Sequence, residues 1–374
     1  MNTKQIIVIG GGLAGLTAAI DLSSKGYNVL VLEKNSYPHH KVCGEYVSNE
    51  VVPYLSSLGI NLSETGAVMI NEFQLSIPNG KSVFTKLPLG GFGISRYAFD
   101  YLLYKKAVDN GVEFSFEEVV DVAFQNNIFS VFTKENTYQA DQVIGSYGKR
   151  SIIDKKKRRD FINKKSNWLA VKAHYAYPNF PSSLVGLHNF KGGYGGLSTN
   201  EEGTVNFCYL VHYKVFKLFN GIEHFNSEVV SENVHLKKFL QSAKLSFDAP
   251  MSIAQISFDK KDTVENHMLM CGDAAGLIHP LCGNGMAMAI HSAKLASGAI
   301  EGYFTNPHCS REKMEKKYAK EWQQTFGRRL WMGKQLQQLM LNPRLSALAM
   351  SSVVQSSYLL KKIIKSTHGS PIVC

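Results

Sequence analysis

Long apolar runs are missing from this chain of 374 residues, and none of its segments is long and apolar enough to span a bilayer. Cysteine is sparse as well: Cys43, Cys208, Cys271, Cys282, Cys309 and Cys374 are scattered, with no close pair at metal-ligand spacing. They form no dense framework of the kind that staples small secreted domains, so the expectation is a reducing, cytoplasmic compartment and no structural metal. The opening residues lack the charged region and cleavage site of a secretory signal, because a glycine turn has already arrived at Gly10. Internal repeats and low-complexity segments are absent. Acidic residues are outnumbered, 30 Asp and Glu against 41 Lys and Arg, for a net charge of +11. Such a balance points to an acidic partner: an anionic membrane surface, an acyl carrier or a phosphorylated substrate. Nucleic acid is set aside, because the run Lys155-Lys156-Lys157-Arg158-Arg159 with Lys164-Lys165 is not interleaved with stacking aromatics. That run reads as a solvated loop in preference to a docking patch.

What is present is a strong opening signal. Ile6-Ile7-Val8-Ile9 is a short, fully apolar strand that breaks into Gly10-Gly11-Gly12-Leu13-Ala14-Gly15 and resumes as a small-residue helix. A dinucleotide pyrophosphate needs this order. Gly10 makes the tight turn, Gly12 lets backbone N–H groups approach the phosphates, and Gly15 lets helix pack on strand. The phosphates then sit at the positive end of the helix. A second strand, Asn28 to Leu32, ends at Glu33, at the separation where a carboxylate accepts the hydroxyls of the adenosine ribose, and Lys34 after it does not turn the site toward a ribose phosphate.

The remainder of the chain alternates between two kinds of pattern. Residues 1–68, 91–165 and 262–306 read as one discontinuous dinucleotide-binding domain, 69–90 and 166–261 as an antiparallel substrate domain, and 307–374 as C-terminal helices. Within these, Pro78-Asn79-Gly80 is the turn of a hairpin between Glu72–Ile77 and Ser82–Leu87. The last segment is predicted as three helices, Arg311 to Phe326, Arg328 to Leu341 and Arg344 to Ile364.

Three motifs in order now resemble a known group: Gly10-x-Gly12-x-x-Gly15 with Glu33, Arg96-x-x-Phe99-Asp100 at a helix start, and Gly272-Asp273-Ala274-Ala275 with Pro280 and Gly283-Asn284-Gly285. The sequence is similar to FAD-dependent oxidoreductases of the para-hydroxybenzoate hydroxylase superfamily. The resemblance implies an α/β fold, a glutathione-reductase-type FAD-binding Rossmann domain with an inserted antiparallel sheet and a helical C-terminal segment. It implies FAD as the tight cofactor, held by Gly10, Gly12, Leu13, Ala14, Gly15, Glu33, Lys34, Lys41, Cys43, Gly44, Arg96, Val120, Gly148, Gly272, Asp273, Pro280, Gly283, Asn284, Gly285 and Met286. In such proteins the aspartate matching Asp273 holds the ribityl chain, and the loop matching Gly283 to Met286 offers N–H groups to the pyrimidine edge of the flavin. Lys41-x-Cys43-Gly44 looks like the geranylgeranyl reductase branch, and Cys43-Gly44-Glu45-Tyr46-Val47-Ser48 looks more like flavin monooxygenases that modify type III polyketide products. Two departures stand out: the superfamily's usual Asp-Gly pair is Tyr147-Gly148 here, and the Tyr-x-Trp segment of prenyl reductases reads Gly193-Tyr194-Gly195-Gly196.

No second glycine fingerprint follows a strand, so NAD(P)H is expected as a transient reductant in the same cleft, or a partner reductase supplies the electrons. The leading expectation is a monooxygenase acting on a hydrophobic aromatic or polyketide-like molecule, free or carrier-bound. Saturation of a prenyl or polyene C=C bond is the alternative, and a non-catalytic flavin-containing accessory subunit is a second one. The candidate catalytic residues are Cys43, as a proton donor or a small apolar loop residue, Glu45, as an acid/base or a solvated carboxylate, and Tyr194, as a substrate-orienting hydroxyl or a packing ring. Phe73, Leu75, Trp168, Tyr175, Phe190, Phe207 and Tyr209 are expected to line the pocket. The basic C-terminal helices are expected to cover the cleft, pack as a cap or dimer face, or lie on a membrane.

Overall fold

The computed structural model describes residues 3–164, 166–278, 283–341 and 343–373. Two sheets organise it. The first has the strand order β16-β17-β9-β1-β2-β6, built from β1 (Thr3–Ile9), β2 (Val29–Leu32), β6 (Glu113–Ser115), β9 (Thr137–Gly145), β16 (Val264–Glu265) and β17 (Met268–Met270). β7 (Asp121–Gln125) and β8 (Ile128–Phe132) extend it as a meander on β9. β1 pairs in parallel with β2 and β9, and β9 with β17, so all three nucleotide-type segments meet in one sheet. Ile6, Ile7, Val8 and Ile9 are buried on both faces. β-branched side chains suit such a strand, and each fully buried one contributes on the order of 2 kcal/mol relative to exposure.

Helix α1 (Leu13–Ser24) follows the glycine turn, α2 (Val52–Ser57) precedes the long hairpin of the second sheet, and α3 (Arg96–Asp109) starts at the cap residue Ser95, whose hydroxyl accepts from the Ala98 N–H. The short α4 (Ile152–Lys156) opens on a capping box between Ser151 and Asp154. Small residues along α1 and α8 (Gly285–Thr305) let these two helices pack side by side under the sheet.

The second sheet runs β14-β10-β13-β12-β11-β4-β5-β3, with β15 (Met251–Ala254) also on β10. Its strands are β3 (Tyr46–Ser48), β4 (Val68–Ser76), β5 (Ser82–Gly93), β10 (Trp168–Ala176), β11 (Leu184–Phe190), β12 (Gly193–Thr199), β13 (Val205–His212) and β14 (Lys244–Leu245). The sheet is antiparallel except where β11 meets β4. It takes in more of the chain than the periodicity suggested, because Tyr46–Ser48 pairs with Gly91-Phe92-Gly93 and ties the Cys43 loop to the hairpin. One face packs on α5 (Tyr213–Phe216), α6 (Gly221–Glu228) and α7 (Val234–Ser242) through Phe190, Phe207, Phe225 and Phe239.

The C-terminal helices differ from expectation at two points. α9 (Arg311–Leu341) continues through Gly327 without a break, since Trp322 and Phe326 are buried against the core on the turn before it and hold the helix in place. The last predicted helix divides into α10 (Pro343–Val354) and α11 (Ser357–Thr367), with Ser356 capping α11 by accepting from the Leu359 N–H.

Candidate functional site

A cavity of about 940 Å³ runs between the two sheets. At one end it meets the glycine turn. The first-turn N–H groups of α1 have no intrahelical acceptor, and no side chain caps Gly12. Gly12, Leu13 and Ala14 stand on the cavity wall with these donors. A Cβ on Gly12 would meet only Arg96 at 3.6 Å, so the space in front of it belongs to the cavity. Gly15 lies beneath the wall, where an added Cβ would sit 2.0 Å from the Gly10 carbonyl oxygen. Gly10 itself has φ +100°, which a side chain would strain. Gly11, a variable position of the motif, is constrained by Tyr37, whose hydroxyl donates to the Gly11 carbonyl at 2.5 Å. The Glu33 carboxylate accepts from the N–H groups of Gly11 at 2.7 Å and Asn35 at 3.0 Å, and its free lone pairs remain for a ribose. Lys34 stands exposed at the rim.

The cradle continues on α3. Arg96 grips Asp100 through Nε at 2.6 Å and Nη2 at 2.7 Å, and Lys41 adds a third donor at 2.8 Å. Burial pushes the Asp100 carboxyl up, but the charges of Arg96 and Lys41 outweigh it and hold it below its ordinary value. Lys41 and Arg96 therefore present fixed positive charge to the cavity beside Gly12. Asp100 was legible only as part of the motif, and the structure shows it as the residue that aims both cations.

Glu45 corrects the expectation of a solvated loop carboxylate. It is 1% exposed, has φ +55°, and accepts from Lys172 at 2.5 Å, the Arg96 N–H at 2.8 Å and His174 at 2.7 Å. Burial opposes ionisation, but the hydrogen bond from His174 and the charge of Lys172 outweigh it and keep the carboxyl below its ordinary range. Cys43 and Gly44, immediately before this anchor, line the cavity, with the Cys43 carbonyl accepting from Asn206 and the Gly44 carbonyl from Ser198. Lys172, buried in β10, was missed because the alternating pattern there carries no mark of charge pairing.

The other helix end is α8. Gly283, Asn284, Gly285 and Met286 line the cavity, and no side chain caps Asn284, so a second set of free N–H groups faces the same space. Gly272 and Asp273 border it. This turn is clamped from behind: Arg159 donates to the carbonyl of Ala274 at 3.1 Å and to Asp154 at 3.0 Å, and Lys261 donates to the carbonyl of Asp273 at 2.7 Å. Burial pulls Lys261 down to about 8. The basic run is thus not wholly a solvated loop, since Arg159 is buried among Asp154, Glu265 and two carbonyls. Tyr147 reaches the same cluster by donating to Asp154 at 3.3 Å, while Gly148, with φ +84°, lies on the cavity wall. Val120 departs from its expected place: its N–H donates to the Phe132 carbonyl at 2.8 Å, and Val119 takes the wall position. Pro280 lies outside the described residues.

Away from the glycines the wall is apolar. Phe73, Leu75, Leu87, Val185, Leu187 and Leu210 face the cavity from the second sheet, together with Tyr194. The other expected rings do not: alternation along β10–β13 turns Tyr175, Phe190, Phe207 and Tyr209 into the cluster with α6 and α7, and Trp168, at the start of β10, packs with Ile256 and Leu277 beside the cavity without joining its lining. Met350 and Val353 of α10 and Leu360, Ile363 and Ile364 of α11 close the remaining side. These C-terminal helices are fastened to the first domain by Arg329–Glu50 at 3.1 Å, by the Ile372 N–H on the Glu50 carbonyl at 2.8 Å and by Asn284 on the Thr367 carbonyl at 3.1 Å.

An extended anionic dinucleotide fits this arrangement: two uncapped helix N-termini, the Glu33 carboxylate and two aimed cations line one continuous space. Among the described residues no group of His, Cys, Asp or Glu could hold a metal ion, and no helix is long and apolar enough to cross a membrane. A family model described as an FAD binding domain matches residues 3–300. The digeranylgeranylglycerophospholipid reductase of Methanosarcina acetivorans is 26% identical over 342 residues, covering 86% of this chain and 81% of that protein. A solved flavin-dependent brominase superposes with a TM-score of 0.80 at 17% identity, covering 98% of this chain and 93% of its own. A probable FAD-dependent monooxygenase from Pseudomonas aeruginosa superposes with a TM-score of 0.72 at 14% identity, over 95% and 100%.

Proposed function

We infer, from the premise that this chain belongs to the FAD binding domain family and is an FAD-dependent oxidoreductase, that it is a monooxygenase acting on a hydrophobic aromatic or polyketide-like molecule. When bound, FAD supplies two-electron chemistry, passing electrons from a reductant to oxygen or to substrate. The net reaction takes substrate, O2, NAD(P)H and a proton to hydroxylated substrate, NAD(P)+ and water. Leu13, Ala14, Gly285 and Met286 would offer their N–H groups to the cofactor, Glu33 would accept from its ribose, and Arg96 and Lys41 would balance its charge. Phe73, Leu75, Leu187 and Val353 exclude water from the substrate end. Tyr194, buried on the wall between glycines, orients the substrate.

The observation that carries this reading is the state of Glu45. Saturating an alkene needs a proton donor beside the substrate, and the one carboxyl at the Cys43 loop is held as a carboxylate by Lys172 and His174. Glu45 is then a positioning residue for Arg96 and the loop rather than an acid. Alkene reduction keeps one specific support: Cys43 stands on the wall with a thiol that can donate, and a relative of 26% identity is a prenyl-lipid reductase. The test is FAD-loaded protein given NADH or NADPH, an alkylated phenol and 18O2. One labelled oxygen in the product is expected. Saturation of a polyene under anaerobic conditions would overturn the proposal in favour of the reductase, and failure of either nicotinamide to bleach the flavin would point to a partner reductase or to an accessory subunit.

A further inference from the structure

We propose that α11 docks the protein on an anionic lipid bilayer, with its outer face on the membrane and its inner face walling the cavity. The helix is two-faced. Leu360 and Ile364 are buried, and with Ile363 they line the cavity. On the opposite side Tyr358 is 75% exposed and Leu359 36% exposed, beside the exposed Lys361, Lys362 and Lys365. Positions 358, 361, 362 and 365 fall on one stripe at helical spacing. One helix therefore separates the apolar end of the cavity from the surroundings.

Charge on this part of the chain is one-sided. After Glu321 the sequence contains Arg328, Arg329, Lys334, Arg344, Lys361, Lys362 and Lys365 and not one Asp or Glu. A cationic stripe carrying a tyrosine and a leucine is the composition that lies flat in the headgroup layer, with the lysines reaching to anionic lipid and the ring and leucine entering the acyl boundary. An acidic carrier protein would complement the lysines but leaves the exposed Tyr358 and Leu359 without a role, so the bilayer is the occupant the face fits better. Docked this way, α11 would place the apolar wall formed by Leu360, Ile363 and Ile364 next to the membrane, and a lipid-soluble molecule would enter without crossing water. The docking does not depend on which reaction the flavin performs.

Flotation of the FAD-loaded protein with vesicles tests this. Vesicles of phosphatidylcholine with roughly a third phosphatidylglycerol should carry the protein upward, and pure phosphatidylcholine vesicles should not. Lys361→Gln/Lys362→Gln/Lys365→Gln should weaken the partition by about a hundredfold, and Tyr358→Ser/Leu359→Ser by about tenfold. Unchanged flavin absorbance and melting temperature in both variants would show that the fold is intact. The proposal is overturned if the unmodified protein stays with the neutral and anionic vesicles alike or with neither, or if the triple variant binds as well as the parent. Tight binding to an isolated acidic carrier protein, lost in the triple variant while vesicles are ignored, would overturn it in favour of a protein partner. None of these readouts uses turnover, so they stand apart from the test of the monooxygenase.

Discussion

Glu45 and His174, 129 residues apart in the chain, meet at 2.7 Å beneath the Cys43 loop, with Lys172 on the other carboxylate oxygen at 2.5 Å. The pair joins the first nucleotide segment to β10 and holds the backbone of Arg96 through the same carboxylate. Lys172→Met leaves that buried carboxylate with less compensation, and a loss of about 3–5 kcal/mol is expected in urea unfolding. Glu45→Gln/Lys172→Met should cost less than the sum of the two single changes, because the double variant strands no charge. The pH dependence has a defined sign. A carboxyl held below its ordinary value of 4.5 in the fold stabilises the protein above that value and loses its contribution as pH falls through the folded-state value. Acid unfolding of the parent should therefore begin at a higher stability than that of Glu45→Gln and fall more steeply below about pH 4.5, and parallel curves would count against the assignment.

Two glycines of one motif should fail in different ways. Gly12 has room for a methyl group in the absence of cofactor, its nearest neighbour being Arg96 at 3.6 Å, whereas a methyl on Gly15 meets the Gly10 carbonyl at 2.0 Å. Gly12→Ala is expected to melt within about 0.5 kcal/mol of the parent as apoprotein and yet purify pale, because the methyl occupies the space of the phosphates. Gly15→Ala should lose about 1–3 kcal/mol with or without FAD. Gly12→Asp and Asp273→Ala should also purify without yellow colour, and full retention of FAD in both would remove the binding assignment.

The substrate end can be separated from the cofactor end at Val353 on α10, which is buried on the cavity wall in the apolar cluster of Ile70, Leu75 and Leu360. Val353→Trp fills the apolar compartment without touching Gly12, Arg96 or Asp273. Flavin content should be unchanged, and KM for a hydrophobic substrate should rise at least tenfold, on the order of the 1–3 kcal/mol that a hydrophobic pocket discriminates. Loss of FAD in this variant would place the cofactor where the substrate is proposed.

The cofactor half of the site was legible in the sequence because it is built from backbone. Spacing along a strand and a helix already fixes where Gly10, Gly12 and Gly15 fall, and the structure brings the uncapped starts of α1 and α8 and Glu33 to one cavity. The substrate half was not, because it depends on which face of each strand turns inward. Phe207 and Tyr209 lie two apart on β13 and both read as lining, yet they share one face and α6 and α7 bury both rings in the outer cluster, while their neighbour Leu210 turns to the cavity. Glu45 looked solvated because its partners Lys172 and His174 are supplied by a strand more than a hundred residues away. The unbroken course of α9 through Gly327 was hidden for a related reason: tertiary burial of Trp322 and Phe326 overrides the local preference of glycine to end a helix.

The basic run at 155–159 makes a contrast that one experiment can read. Arg159 is enclosed by Asp154, Glu265 and the carbonyls of Asp262 and Ala274, whereas Lys156, on the same run, has a half-exposed side chain 3.7 Å from Asp121. Arg159 carries the turn that places Asp273, and through Asp154 it also fixes the Tyr147 hydroxyl. Arg159→Met removes the compensating cation from a buried carboxylate and frees the turn, so a loss of about 3–5 kcal/mol and weaker FAD binding are expected together. Lys156→Gln removes an equal formal charge at a wet site and should cost no more than about 1 kcal/mol with FAD affinity unchanged. Equal effects of the two substitutions on unfolding and on flavin titration would mean that net charge, rather than the Arg159 clamp, holds the third segment in place.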